Sequence, residues 1–301
     1  MKNSSIEGRL HSLQAKNQFQ KERRSLLFRR YLSNRSVVIG SVIILLLVLI
    51  SVFAVFIAKY APDQMEVVNR LKPPSPAHYF GTDNFGRDLF SRIIYGTRVS
   101  MIVGLSVALI TMITGTVIGL YSAYYRILDH ILMRICDGLM AFPAILLAIA
   151  LMAALRPSLW NVILSLSIVN TPTVARTVRS AAMVVKEQTY IEALKSQGAG
   201  SLRIIWKHVA PNTMSPLIVQ VTYVFGVSIF IEAALSFLGA GIPAPAPSLG
   251  NILLDGKIVI YSAWWMTVFP SIFIIFAVLG LNLFGDGLRD LLDPHTNKAK
   301  K

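Results

Sequence analysis

Residues 37–58 read VVIGSVIILLLVLISVFAVFIA, and no residue in this run carries a charge. The hydrocarbon core of a bilayer is about 30 Å thick and needs roughly 20 apolar helical residues to cross it. The run is therefore long enough to span a membrane by itself, and it predicts a transmembrane helix.

The composition of the whole chain agrees with an integral membrane protein. Of its 301 residues, 54% are hydrophobic and only 15% are charged, whereas a soluble domain carries about 25% charged residues. Five further apolar runs give an all-α membrane protein with six predicted transmembrane helices. These runs cover residues 99–125, 138–155, 157–175, 209–231 and 264–284. The run at 138–155 is short for a span, so its helix is expected to begin near residue 131.

Prolines and glycines inside the spans bear on how the helices pack. Pro143, Pro172 and Pro270 each remove a helix hydrogen bond and are expected to kink their helices. Gly115 and Gly119 form a GxxxG pair, which allows another helix to approach closely. Neither feature identifies a function by itself.

The distribution of basic residues predicts the orientation. Residues 1–36 hold nine basic residues against two acidic ones, and residues 176–208 hold six against two. Residues 233–263 are balanced, and residues 59–98 are only weakly basic, with six against four. By the positive-inside rule both termini and the 176–208 segment are cytoplasmic, in a multi-pass protein of the cell membrane.

This topology divides the chain into five parts. They are a cytoplasmic basic segment (1–36), a first transmembrane helix (37–58), an extracytoplasmic segment (59–98), a five-helix core (99–286) that contains a cytoplasmic segment at 176–212, and a cytoplasmic tail (287–301). The formal net charge of +14 fits anionic lipid headgroups better than nucleic acid, because no recognition helix or aromatic platform accompanies it.

The sequence offers no pattern typical of an enzyme. The histidines lack metal-ligand spacing, there is no G-x-S-x-G elbow, and residues 250–258, GNILLDGKI, do not fit a phosphate-binding loop. No catalytic residue, metal site or ATP site is therefore predicted on this chain. Cys136 is the single cysteine, so an internal disulfide is excluded.

A few ionisable residues near or within the spans leave alternatives open. Glu232 lies about 18 residues into its helix, roughly 27 Å along it, which predicts a wetted carboxylate at the outer interface or a residue that lines a pathway. Arg134 and Asp137, three residues apart, are expected to pair. Outside the membrane, three charged residues form either a docking site for another protein or a local ion-pair network. They are Asp83, Arg87 and Asp88.

Residues 190–212, YIEALKSQGAGSLRIIWKHVAPN, predict two short helices joined by a turn at Gly198 and Gly200. Ser201 is expected to cap the second helix. Its apolar stripe consists of Leu202, Ile205, Trp206 and Val209, and the first helix adds Tyr190, Ala193 and Leu194 beside Glu192. The stripe needs a cover, which is either the protein's own helix ends and lipid or a cytoplasmic partner.

The same residues resemble the EAA loop of binding-protein-dependent ABC transporter permeases, whose pattern is E-A-A-x3-G-x9-I-x-L-P. Glu192, Ala193, Gly198 and Pro211 match it. Positions 194, 208 and 210 depart from it without changing the spacing. The resemblance implies a coupling helix that docks on an ATPase subunit. It implies that this contact involves Tyr190, Glu192, Ala193, Leu194, Gly198, Ser201, Leu202, Arg203 and Pro211.

Other motifs resemble the C-type permease subunit of dipeptide and oligopeptide importers. They are GTDNFGRDLFSR at 81–92, ALSFLGAG at 234–241, GDGLRD at 285–290 and the Asp-Pro pair at 293–294. The resemblance implies the fold of a type I ABC importer permease. The implied partners are a second permease, two ATPase subunits that carry ATP and Mg²⁺, and an extracytoplasmic binding protein, with no cofactor on this chain. The binding protein is then the possible docking partner of Asp83, Arg87 and Asp88.

The resemblance leaves the cargo open. Glutathione, a nickel chelate or another small solute is the alternative to a peptide, and a membrane scaffold without transport is a more distant one. Residues 243–250 read PAPAPSLG, without the glutamate and tryptophan that the family commonly has in a P-P-x-P-E-W-G run at this place.

Overall fold

The computed structural model describes residues 29–292. Within these limits the chain is helical, and its one β-bridge joins Thr82 to Asp88. The helices whose ends both lie in the described part are α1 (Arg35–Val52), α2 (Ala54–Ile57), α3 (Leu89–Tyr124), α4 (Arg126–Met140), α5 (Ala144–Leu155), α6 (Leu159–Lys186), α7 (Thr189–Ser196), α8 (Ser201–Ile204), α9 (Met214–Phe237), α10 (Leu249–Ile258) and α11 (Trp265–Leu292). The predicted terminal segments fall largely on residues 1–28 and 293–301, which lie outside the described residues.

The described helices confirm an all-helical membrane protein. Four stretches are long and apolar enough to cross a membrane, namely α1, α3, α11 and the continuous run from α8 through α9. The bent pair α4 and α5 adds a fifth if it is one span. Helix α6 has the length of a span but carries many polar side chains, so the count of six stays a prediction.

The third predicted span differs from the expectation of one helix beginning near residue 131. Helix α4 begins at Arg126 and ends at Met140, and α5 follows at an angle of 94°. Pro143 stands immediately before α5. Because a proline has no N–H to donate and its ring crowds the preceding turn, it separates the two helices rather than kinking one.

Helix α3 begins ten residues before its apolar run. Asp88 caps it, because its carboxylate accepts a hydrogen bond from the Ser91 N–H at 2.8 Å. The first turn holds Arg92, a charge that hydropathy alone would place outside a helix in the membrane. Its guanidinium lies 3.5 Å from the buried Asp83 carboxylate and donates a hydrogen bond to the Pro62 carbonyl at 3.1 Å, and these contacts offset part of the cost of burying its charge.

Helices α3 and α6 pack with their backbones close together at the GxxxG pair. A Cβ atom on Gly115 would lie 2.6 Å from Val174, and one on Gly119 would lie 2.6 Å from the carbonyl oxygen of Ala175. The pair therefore serves packing within the chain, as one interpretation of the sequence held.

Helices α9 and α11 both extend past their predicted ends. Helix α9 begins at Met214 rather than near residue 209, because a π-helical turn (Ile205–Val209) and a 3-10 turn (Ala210–Thr213) precede it. It ends at Phe237. Helix α11 passes through Pro270 and continues to Leu292. Its last turns pack on α1, where a Cβ on Gly287 would lie 2.7 Å from the Val37 nitrogen.

Gly40 tests the packing of α1 against α11. A Cβ on Gly40 would lie 2.5 Å from the Phe284 nitrogen and 2.8 Å from the Gly280 oxygen, which are backbone atoms and cannot rotate away. Gly40→Ala is therefore expected to lower the midpoint of thermal unfolding in detergent. Gly138→Ala on α4 is the control, because nothing lies within 4 Å of its added Cβ and alanine stabilises a helix interior by about 0.5–1 kcal/mol relative to glycine. Equal midpoints for the two variants would contradict this packing.

Candidate functional site

The helix–turn–helix segment, residues 189–213, follows α6 directly and leads into α9. Its turn is built at Gly198, which has φ +79°. The Gly198 N–H donates to the Lys195 carbonyl at 2.9 Å, and the Ala199 N–H donates to the Leu194 carbonyl at 3.0 Å. This pair of bonds is a Schellman motif, which favours glycine at the left-handed position.

Two sequence expectations for the turn are wrong in detail. Gly200 has an ordinary φ of −67° and is itself the N-cap of α8, while Ser201 is the first helical residue and its hydroxyl makes no capping hydrogen bond. The turn needs a left-handed residue only at Gly198. Gly200 is therefore not required for its backbone freedom.

The inner face of the segment is part of the main hydrophobic core. Ile191, Ile204, Ile205 and Val209 are all buried. They pack in one cluster with apolar residues of α3 and α6. This burial fixes the segment firmly to the helix bundle.

The outer face presents a different set of side chains. Leu202 is 60% exposed, Trp206 is 45% exposed and Tyr190 is 43% exposed. The predicted single stripe is thus two faces, because Ile205 and Val209 turn inward while Leu202 and Trp206, also four residues apart, turn outward. Cover by the protein's own helices is confirmed for the inner residues, and docking of a partner on the outer residues stays a prediction.

Most of the other residues of the predicted ATPase contact are on the surface. Glu192, Ala193, Arg203 and Pro211 are exposed, and Leu194 is partly buried. In residues 29–292 neither the Glu192 carboxylate nor the Arg203 guanidinium forms an ion pair. Both charges are therefore available to a partner.

A second cluster of charges lies at the other end of α3, where the extracytoplasmic segment is predicted. Asp83 accepts backbone hydrogen bonds from Phe85 at 2.8 Å and Arg87 at 2.9 Å, and an Arg87 side-chain bond at 2.6 Å. A further nitrogen of Arg87 lies 3.4 Å from the Asp255 carboxylate of α10. The pKa of the Asp255 carboxyl lies above its ordinary value. Burial raises this pKa by more than the neighbouring guanidinium groups of Arg87 and Arg92 lower it.

Asp88 belongs to the same region but has its own partners. One carboxylate oxygen lies 2.8 Å from His78 Nδ1, and the other accepts bonds from the N–H and hydroxyl of Ser91 at 2.8 and 2.7 Å. Asp83, Arg87 and Asp88 are each at most 4% exposed. The structure thus contains the local ion-pair network that was one of the two interpretations. Binding-protein docking at these residues stays a prediction.

Glu232 is enclosed in the helix bundle, so the prediction of a wetted carboxylate is wrong, while a role in lining a pathway stays a prediction. Its side chain is 0% exposed. Its carboxyl oxygens accept hydrogen bonds from the hydroxyls of Ser100 (2.8 Å), Ser236 (2.9 Å) and Ser248 (2.7 Å). The error arose because distance along a helix gives depth in the membrane and not the direction in which a side chain points.

The three serines make Glu232 a junction of three helices. Ser100 belongs to α3, Ser236 to α9 itself, and Ser248 is the N-cap of α10, where its hydroxyl accepts from the Gly250 N–H at 3.2 Å. Only Ser236, one turn from Glu232 on the same helix, had a sequence signal. The other two partners are 132 and 16 residues away. Ser248 also lies in the proline-rich run that departs from the family pattern.

Asp137 pairs with Arg176 of α6, and not with Arg134 as expected. A second ion pair between the same two helices joins Asp129 to Arg179, with hydrogen bonds of 2.5 and 2.7 Å. No sequence signal connects residues so far apart in the chain. In the described range no group of three or more His, Cys, Asp or Glu residues could hold a metal ion.

Two family profiles match the chain. The first, described as a binding-protein-dependent transport system inner membrane component, covers residues 115–298, and the second, the N-terminal transmembrane domain of oligopeptide transport permease C, covers residues 24–74. The chain belongs to this family of transport permeases. The residues matched by the first profile include the motif at 192–211, and the chain is a permease subunit of an ABC importer.

Individual relatives agree with the profiles. A putative peptide transport system permease protein of Brucella abortus is 48% identical over 269 residues, covering 89% of this chain and 91% of the relative. A dipeptide transport system permease protein of Alkalihalophilus pseudofirmus is 45% identical, with 89% and 88% covered. A glutathione transport system permease protein of Pectobacterium atrosepticum is 41% identical, with 89% of each covered.

A solved structure shows the fold of the permease. Part of the MetNI methionine ABC transporter, in an inward-facing conformation, matches with a TM-score of 0.57 at 18% identity. The match covers 67% of this chain and 96% of that one. The helical core of the permease therefore has the fold of an ABC importer permease.

Removing the Glu232 side chain is expected to destabilise the permease. In Glu232→Ala three buried serine hydroxyls lose their acceptor, and an unsatisfied buried polar group costs about 1–3 kcal/mol. Glu232→Gln keeps an acceptor oxygen and the shape of the side chain, so its effect should be smaller. The midpoint of thermal unfolding in detergent measures both, with Glu187→Ala at an exposed carboxylate as the control. A Glu232→Ala protein as stable as the control would show that this junction contributes nothing.

Proposed function

We propose that the permease forms part of the translocation path of an ATP-driven importer for dipeptides or oligopeptides. In this proposal it works with a homologous second permease, two ATPase subunits and an extracytoplasmic binding protein, in the cell membrane with both termini cytoplasmic. The observation that carries the proposal is the helix–turn–helix segment, which is fixed to the core on one face and free on the other.

The segment has the properties that force transmission requires. Its inner isoleucines are buried with α3 and α6, so a push on the outer face moves those helices rather than the segment alone. The outer face offers the exposed apolar residues Tyr190, Leu202 and Trp206 beside two unpaired charges. Burying an apolar surface of order 300 Å² at about 25 cal/mol/Å² stabilises an interface by several kcal/mol before association costs, which suits a contact that shifts during each cycle.

A cleft with both apolar and charged residues in its walls supports a role in moving a zwitterionic solute. The cleft has a volume of about 480 Å³ between α9 and α11 and is lined by Val219, Gln220, Tyr223, Leu281, Asn282, Gly285, Asp286 and Arg289. A zwitterion needs partners of both charge signs, because an unpaired charge in hydrocarbon costs several kcal/mol. The cleft is open on one side, which is consistent with a path that the second permease completes.

The relatives favour a peptide as the solute without excluding others. The two more similar ones quoted above are named for peptide and dipeptide transport, and the third for glutathione. Glutathione, a nickel chelate or another small solute is therefore the alternative cargo. A membrane scaffold without transport is disfavoured, because these relatives are transport permeases.

Affinity purification of the tagged chain from its native membranes, in mild detergent, tests the assembly. We expect two ATPase subunits and a second permease to co-purify. A known importer complex purified in parallel is the control for the detergent. Recovery of this chain alone, while the control stays intact, would contradict the proposed assembly.

Substitutions in the segment test its coupling role. Gly198→Pro cannot adopt φ +79°, and it removes the N–H that bonds to Lys195, so binding-protein- and solute-stimulated ATP hydrolysis should be lost while the chain still inserts. Glu192→Arg reverses an unpaired charge and should have the same effect.

Matched controls separate coupling from general damage. Gly200→Ala changes a glycine with an ordinary φ in the same turn, and Glu187→Arg reverses an exposed carboxylate two residues before α7. Both controls should retain stimulated ATP hydrolysis in the reconstituted complex. Undiminished stimulation in Gly198→Pro or Glu192→Arg would rule out this use of the segment.

A further inference from the structure

A groove on the outside of the helix bundle has a charged group at its edge and apolar walls. It lies between α1 and α3 and has a volume of about 440 Å³. Its walls include Val48 and Val52 of α1, Met101, Ile102 and Leu105 of α3, and the guanidinium-bearing Arg98. In residues 29–292 Arg98 makes no ion pair or hydrogen bond. A guanidinium beside apolar surface is stabilised by an anionic partner, because an unpaired charge is costly there.

One hydrogen bond fixes the relative depth of the two helices. The N–H of Tyr60, just after α2, lies 3.3 Å from the hydroxyl of Ser91 in the first turn of α3. Val52 lies eight residues before Tyr60, and Arg98 lies seven residues after Ser91, so Val52 and Arg98 stand at similar depth. Leu105 is seven residues further along α3, or about 10 Å. The groove therefore runs from the charge at one end into apolar surface at the other.

The exposure of the lining residues gives the groove its shape. Val52 is 62% exposed, Leu105 is 50% exposed and Ile102 is 44% exposed, whereas Met101 and Ser51 are each 8% exposed. The exposed side chains form two rims, and the buried ones form the floor. A trough of this form accepts an elongated apolar chain better than a flat helix face does.

We propose that this groove binds an anionic phospholipid, with its phosphate on Arg98 and one acyl chain lying between α1 and α3. A guanidinium matches the geometry of a phosphate and can donate two hydrogen bonds to it. An arginine near the end of a span places its charge at the level of the headgroups while its stem packs on apolar surface. The site does not depend on which solute the permease carries.

The chemistry selects an anionic lipid over a zwitterionic one. In phosphatidylcholine the choline ammonium offsets the phosphate charge, so the net attraction to a single guanidinium is weak. An anionic headgroup keeps its net charge, so its attraction to the guanidinium is not offset within the same headgroup. A second permease that covered the groove without bringing an acidic group would leave Arg98 unpaired.

Native mass spectrometry of the full-length chain, purified with its co-purifying subunits, tests the proposal. Phosphatidylglycerol and phosphatidylcholine with the same acyl chains are the two probes. We expect the wild type to retain phosphatidylglycerol in preference to phosphatidylcholine. In Arg98→Gln this preference should fall about fivefold. Arg98→Lys should keep part of it. Arg134→Gln removes an exposed basic residue of α4 and should change nothing.

The location of the bound lipid is tested separately with phosphatidylglycerol that carries a photoreactive acyl chain. The label should attach within residues 48–52 and 101–105, and Leu105→Trp should reduce it by filling the groove. The proposal would be overturned if the wild type retained both lipids equally or if the label attached elsewhere. It would also be overturned if Arg98→Gln, with the thermal stability of the wild type, retained as much phosphatidylglycerol as the wild type. So would a crosslink from position 98 to the second permease, since the groove would then be a subunit interface.

Discussion

The close approach of α3 and α6 at Gly115 and Gly119 is the packing contact that connects the two ends of the permease. A side chain at Gly119 would lie 2.6 Å from a backbone oxygen of α6, so the two helices cannot separate or slide without losing dense packing. Helix α6 leads into the helix–turn–helix segment within three residues. The Lys186 ammonium donates to the Ala123 carbonyl at 2.9 Å, at the last turn of α3. A displacement of the segment therefore reaches α3 through a rigid interface.

Helix α3 extends this connection to the opposite end of the molecule. It has 36 residues, or about 54 Å of length. Near its beginning, Ser100 donates to Glu232 and Asp88 holds His78, and the buried ion pair between Asp83 and Arg87 lies beside them. These contacts attach α10 and the loop before α3 to helix α3. The carboxylates of Asp83, Asp88 and Glu232 each accept several hydrogen bonds at this end, and such bonds offset much of the cost of burying a charged group.

The sequence predicted the helices better than it predicted their ends. Apolar runs identify segments that prefer hydrocarbon, but a helix continues wherever its polar residues find partners. Arg92 extends α3 because Asp83, nine residues earlier, folds back onto it. Asp137 faces α6 rather than its own helix neighbour Arg134 because Arg176 comes within reach only in the folded chain. The break at Pro143 was visible in the sequence, but its 94° angle was not, since proline interrupts hydrogen bonding without setting the direction of the next helix.

The helix–turn–helix segment shows the same limit on a smaller scale, and the detail matters for function. Leu202, Ile205, Trp206 and Val209 fit a helical repeat, so the pattern alone placed them on one face. Between α8 and α9 the chain forms a π-helical turn, and the pairs 205/209 and 202/206 then face opposite directions. This division gives the segment one side that packs in the core and one exposed apolar side. In the proposed coupling role both sides are needed, because a fully buried stripe would offer no docking surface. A fully exposed stripe would have no contact through which to move α3 and α6.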